Sequence, residues 1–401
     1  MYLKILIDNI SLVIQYFFGG IAVFYVTPLI VKSVGIHTYG NLAIMFAIVT
    51  YISVVIQYSF NLIGPKLIAE GNCKKTFNTI ISAKIVLFLL SLIFFLLYFY
   101  FFQNKHDDVF LLFLVFPLSW VFNSAWYLQS KGYFVISSVC SIIGSLITFV
   151  IAYFFINTTT GLFVPILCLV LSSFINGLLT FFFAVKNNGH IEIVNPLPML
   201  KEGMPLFVSQ IISSLYTMSG VFIITYFYGV ASAGTYAIVE RFMNLLISLG
   251  VLTHVAAYPK LARLFNKDRL EYRKTLLFVI ALYTLFSCCV AIVVFNFHQN
   301  IVTYMFGSES VNAKELIYSA CIFIFVSIYG PVVTGYFTLK VKGRMIITIN
   351  IIIALLSLLL GVGMLKIVGS SGWLIGLSLA QLLYIAIFFK IFIWGRKECA
   401  V

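Results

Sequence analysis

Charge is the scarcest commodity in this sequence. Asp, Glu, Lys and Arg make up 9% of 401 residues, where soluble domains carry about 25%, and that shortfall excludes a soluble globular enzyme. Acid is scarcer than base: 12 Asp and Glu face 25 Lys and Arg, a net charge of +13. A basic excess of this kind belongs first to the flanks of membrane spans, so only charge inside the bilayer argues for an anionic substrate. The seven cysteines, from Cys73 to Cys399, include no CxxC and no Cys/His spacing. That excludes a zinc site and a disulfide framework and leaves small packing residues. Dinucleotide and Walker loops, HExxH and a nucleophile elbow are all missing, and the five histidines are dispersed. The basic residues are spread among short loops beside lipid, which argues against nucleic acid. No cofactor is expected, with a proton or a sodium ion left open as a coupling ion.

What the chain has is apolar length. It is 62% hydrophobic, with a mean hydropathy of +1.10. A span needs about 20 apolar residues, and twelve such segments fit between residues 9 and 394, among them 9–32, 41–65, 77–102, 109–130, 235–258 and 312–338. The expected fold is all-α: a polytopic membrane protein of twelve transmembrane helices. The run after Lys4 has no Ala-x-Ala exit, so the first helix is expected to serve as its own insertion signal. With the amino terminus on one side, that side collects 20 of the 25 basic residues and the other side four, with Arg241 inside the eighth segment. The positive-inside rule then puts both termini in the cytoplasm.

One stretch occurs twice. Gly35, Gly40, Ala43, Ile44, Pro65, Lys66 and Leu67 recur as Gly229, Gly234, Ala237, Ile238, Pro259, Lys260 and Leu261, all at an offset of 194. A weaker echo pairs LQSKG at 128–132 with LKVKG at 339–343, at an offset of 211. The chain therefore reads as two homologous six-helix lobes, 1–190 and 191–401. Six is even, so the copies insert with the same orientation, related by a pseudo-twofold axis along the membrane normal.

Ionisable groups within hydrocarbon are functional candidates by default. Glu240 and Arg241 lie one and a half turns into the eighth segment, where the first copy has Phe46 and Ala47. Adjacent helical residues point about 100° apart, so each needs its own partner or water: a structural ion pair with another helix, or for Arg241 an anion in a wet cavity. Asn244 and Ser248 follow Glu240 at intervals of four and share its face. Gln15, in the first segment, is the counterpart expected across the gap between the lobes, and Tyr58 is a further polar aromatic candidate. Lys84, two turns into the third segment, is a further cavity candidate, although a lysine at that depth can also snorkel its ammonium outward. Gly330-Pro331 should break the tenth segment.

These residues resemble a family. TPLIVKSVGIHTYGNLAIMFAIVTY (27–51) followed by GPKLIAE (64–70) is similar to the amino-terminal signature of bacterial polysaccharide-export flippases. WYLQSKGYF (126–134), KEGMPLFVSQIISSLYTMSG (201–220) and GTYAIVERF (234–242) are similar to further segments of the Wzx-type flippases. The resemblance, which covers nearly the whole chain, implies two six-helix lobes forming a V, as in the multidrug/oligosaccharidyl-lipid/polysaccharide superfamily. It also implies export of undecaprenyl-diphosphate-linked oligosaccharide across the bacterial inner membrane, with a polysaccharide polymerase and a chain-length regulator as partners. Arg241 would then meet the diphosphate, Gln15, Asn244 and Tyr58 the sugars. The alternatives are a cation or drug exporter of the same superfamily and a membrane enzyme of the same pathway. The first would need an acidic cavity, the second a sizeable outer loop.

Overall fold

The computed structural model describes residues 2–69, 71, 73–102, 108–156, 161–307, 313–340 and 343–394. All regular structure among them is helical. Among the described residues, eleven helical stretches are long and apolar enough to cross a membrane. One of them, Leu197–Ser248, has 52 residues, which at about 1.5 Å per residue is more than twice the ~30 Å hydrocarbon thickness and allows two passes. The chain is a multi-pass membrane protein.

Two compact units divide at Ser214 and Leu215, later than the boundary set by the repeat. The first holds α1 (Tyr2–Val34), α2 (Ile36–Gln57), α3 (Phe60–Ala69) and α4 (Cys73–Phe102). A 3-10 turn (Asp108–Leu114) then leads into α5 (Val115–Phe122), α6 (Ala125–Ser130), α7 (Phe134–Phe155), α8 (Phe163–Asn188) and most of α9 (Leu197–Thr217). The second holds α10 (Gly220–Lys267), α11 (Arg269–Phe306), α12 (Ala313–Ser327), α13 (Gly330–Lys340), α14 (Gly343–Val368) and α15 (Gly372–Trp394).

Lipid tails are as apolar as leucine, so close packing and internal hydrogen bonds hold membrane helices together. In the first unit Tyr58, Phe60, Phe77, Trp126 and Tyr127 form the core, Phe77 and Tyr127 with ring centroids 4.7 Å apart. Gly177 lets α8 close on the Ser119 carbonyl of α5, where a Cβ would stand 2.5 Å from that oxygen. The second unit has its own core of Leu261, Tyr272, Tyr283, Tyr336 and Phe388. Elsewhere in this unit Trp373, fully buried, lies in a slot between two glycines. A Cβ on Gly361 would stand 2.5 Å from its ring and one on Gly220 2.7 Å from its Nε1.

The repeat is visible in the backbone. Gly35 has φ 81 and ψ 160, and Gly229 has φ 81 and ψ 174. Both fall in a region essentially confined to glycine. Past the turn the burial patterns agree: Leu42, Ala43, Met45 and Val49 are buried, as are their counterparts Tyr236, Ala237, Val239 and Met243. The copies then diverge. In the first, Tyr58 (φ 43) and Ser59 (φ 60) are both left-handed and separate α2 from α3, while α10 runs on through the corresponding positions. Leu67 and Leu261 each join the core of their own unit. The second echo falls partly on residues 341 and 342, outside the described residues.

The break expected at Gly330-Pro331 is present, between α12 and α13. Its counterpart between α5 and α6 carries no glycine or proline signal at Phe122-Asn123-Ser124. After α8 the linker is stitched to the first unit. Asn188 donates to the His190 carbonyl at 2.9 Å, and Ser82 Oγ accepts from the Val194 amide at 3.0 Å.

Candidate functional site

The six residues singled out by sequence fall three in each compact unit. Three are built into the first unit. Lys84 does not snorkel: it is 2% exposed, and its Nζ donates to the Asn123 carbonyl at 2.7 Å. The reason is local, since the helix break at Asn123 frees a carbonyl within reach. Tyr58 is a core residue, stacked on Phe207 with centroids 4.0 Å apart and donating its hydroxyl to the Leu200 carbonyl at 2.9 Å. Ring and hydroxyl are both engaged by α9 within the first unit. Gln15 accepts from Ser138 Oγ at 3.1 Å, joining α1 to α7 within the first unit.

The other three lie together on α10 in the second unit. Glu240 and Arg241 are partly exposed and Asn244 is exposed, so the face begun by Glu240 is accessible. Ser248, lower on the same face, donates to the Leu245 carbonyl at 2.6 Å. The Tyr236 hydroxyl, one turn before Glu240, donates to its carboxylate, and Arg241 adds an attractive charge. Tyr236 is itself 1% exposed. Its hydroxyl rests on Gly220 next to the indole Nε1 of Trp373, a buried donor with no acceptor among the described residues. The arrangement supplies one carboxylate held by a phenol, one guanidinium beside it and an amide one turn on. Such a set can bind an anionic headgroup or hold a proton.

Sequence reasoning missed Tyr236 and Trp373. Tyr236 precedes Glu240 by four residues, the spacing of facing side chains on a helix, and could have been found. Trp373 is more than a hundred residues away and gave no signal. At the position equivalent to Glu240, Phe46 packs on Phe116 with centroids 4.9 Å apart. The charged pair is therefore confined to one copy of a shared scaffold.

The chain is all-helical, with an ionisable pair on one of its membrane-length helical stretches. Comparison with solved structures agrees on the fold. The Lipid II flippase MurJ in an inward closed conformation superposes with a TM-score of 0.72 at 16% identity, covering 94% of this chain and 86% of that one. An outward-facing multidrug resistance MATE family transporter of the MOP superfamily gives 0.62 at 17% identity, covering 98% and 95%. The family described as "Polysaccharide biosynthesis protein" matches residues 6–265, and the chain belongs to it. The MatE family matches residues 205–363. The "Putative O-antigen transporter" of Shigella dysenteriae is 22% identical over 67% of this chain and 69% of its own. A protein of the same description from Escherichia coli (strain K12) is 23% identical over 61% of each.

Proposed function

We propose that this protein is a flippase that carries a lipid-linked oligosaccharide, the repeat unit of an O-antigen or related surface polysaccharide, from the cytoplasmic to the periplasmic leaflet. The observation that carries the reading is family membership over residues 6–265, supported by the two O-antigen transporter relatives. A diphosphate sugar cannot cross hydrocarbon unaided, while its polyprenyl tail prefers to stay there. A polar face that meets the headgroup and leaves the tail in lipid resolves the conflict.

In this reading Arg241 supplies the cation for the diphosphate, since a guanidinium pairs bidentately with phosphate oxygens. Asn244 meets sugar hydroxyls, and Glu240, held by Tyr236, is the group available to a coupling proton. Both termini are cytoplasmic, and a polymerase and chain-length regulator act on the exported unit. An inside-negative potential favours outward movement of each negative charge by about 2.3 kcal/mol per 100 mV. A second reading, a cation or drug exporter, is favoured by the MatE match over residues 205–363. The arginine beside Glu240 repels such a cargo, and the flippase reading stands first.

The test is genetic and direct. Arg241→Ala should abolish surface polysaccharide while the protein stays at its normal membrane level, with lipid-linked units accumulating on the inner leaflet. Full export by that variant removes Arg241 from the site; deletion of the gene without accumulation of lipid-linked units removes the flippase reading itself.

A further inference from the structure

A buried lysine in a membrane protein needs an explanation, and Lys84 is among the largest fully buried side chains. Among the described residues it forms no ion pair with a carboxylate. What it meets is the end of a broken helix. The helix α5 stops at Phe122, and Asn123 (φ −57, ψ 107) turns the chain out of the helical ladder. The groups freed by the break find partners. Ser124 Oγ donates to the Phe122 carbonyl at 3.0 Å, Thr180 Oγ1 accepts from the Ser124 amide at 3.2 Å, and Asn123 Oδ1 accepts from the Ala125 amide at 3.1 Å. The Asn123 carbonyl takes the Lys84 ammonium. A helix carboxyl end carries about half a negative charge, and in transporters the carbonyl ends of interrupted helices are where small cations are coordinated.

The geometry points to Lys84 as a tethered cation, seated at the carbonyl end of the interrupted helix α5–α6 where a free monovalent cation would otherwise be needed. The second unit supplies the contrast. Its interrupted helix, α12–α13, is met by neutral groups. Thr284 Oγ1 lies 2.8 Å from the Tyr329 hydroxyl, and Ser327 Oγ donates to Gln381 Oε1 at 2.5 Å. Thr284 follows Lys84 by 200 positions, between the two repeat offsets of 194 and 211. The second unit's α11 thus reaches a side-chain hydroxyl within the break, where α4 of the first unit sets a lysine ammonium on a backbone carbonyl. The first unit thereby holds its interrupted helix without drawing an ion from solution.

The experiment uses purified full-length protein in detergent and reads the thermal midpoint, independently of transport. Lys84→Ala removes the cation and leaves a space; Lys84→Met removes the charge and fills the space. Both should melt below wild type. Methylammonium chloride at about ten times its dissociation constant should raise the Lys84→Ala midpoint by roughly 3–5 °C. Tetramethylammonium, too large for the space, should not, and neither salt should shift wild type or Lys84→Met. If Lys84→Ala fails to accumulate, methylammonium in the growth medium should restore its membrane level. A Lys84→Met protein as stable as wild type, or a Lys84→Ala protein whose midpoint and level ignore methylammonium, overturns the assignment.

Discussion

Replacing Gly220 by alanine tests the packing that holds the α10 site. The new methyl would stand 2.7 Å from Trp373 Nε1 and closer still to the Tyr236 hydroxyl. Neither neighbour can retreat. Trp373 is fully buried, with its ring already against Gly361, and Tyr236 is 1% exposed. Overpacking of this kind costs about 1–3 kcal/mol. Gly220 is the first residue of its helix, after the N-cap Ser219, so little helix propensity is regained. At about 2–4 °C per kcal/mol for a unit of this size, the thermal midpoint of the detergent-purified protein should fall by roughly 2–12 °C. Gly363→Ala is the matched control. No neighbour lies within 4 Å of its Cβ position, and in a helix interior alanine is worth up to about 1 kcal/mol over glycine. A Gly220→Ala protein that melts with wild type, or a Gly363→Ala protein that falls as far, would refute the slot as described.

Two further perturbations probe the first unit and the repeat. Gly35→Ala and Gly229→Ala each place a side chain in a glycine-only region, at a cost of about 1–3 kcal/mol, so thermal midpoints should drop by similar amounts; a large inequality would deny that the two turns are equivalent. Tyr58→Phe keeps the stack on Phe207 and loses the bond to the Leu200 carbonyl. It should cost about 1 kcal/mol in a thermal or denaturant titration and leave polysaccharide export in place, whereas loss of export at normal stability would return Tyr58 to the substrate.

Much of the architecture was legible because membrane physics writes directly into composition. Long apolar runs have no alternative to helix in lipid, and a backbone conformation open only to glycine left matching glycines at 35 and 229. Sequence could not show which polar residues would be consumed internally. Lys84 has a stem long enough to reach either the interface or a buried carbonyl, and the deciding break at Asn123 has no glycine or proline to announce it. Gln15 accepts from Ser138 on α7, and sequence does not say which helix is the neighbour of α1. Tyr58 is engaged by α9, and it begins a pair of successive left-handed residues, a conformation neither residue type advertises. On α10, Glu240, Asn244 and Ser248 repeat every four residues on one continuous helix, so their shared face followed from spacing alone.

The stitching of the linker and the docking of α9 also say where the chain tolerates being cut. Ile193 is 90% exposed, although Val194 beside it is tied to Ser82. The hold of α9 on the first unit does not pass through that stretch of peptide. It runs through Tyr58 on the Leu200 carbonyl, Phe207 on Tyr58, and Gln210 on Ser59 at 2.6 Å. Fragments 1–192 and 193–401, translated separately, should therefore reassemble into a working protein, because the second fragment carries its own plug for the first.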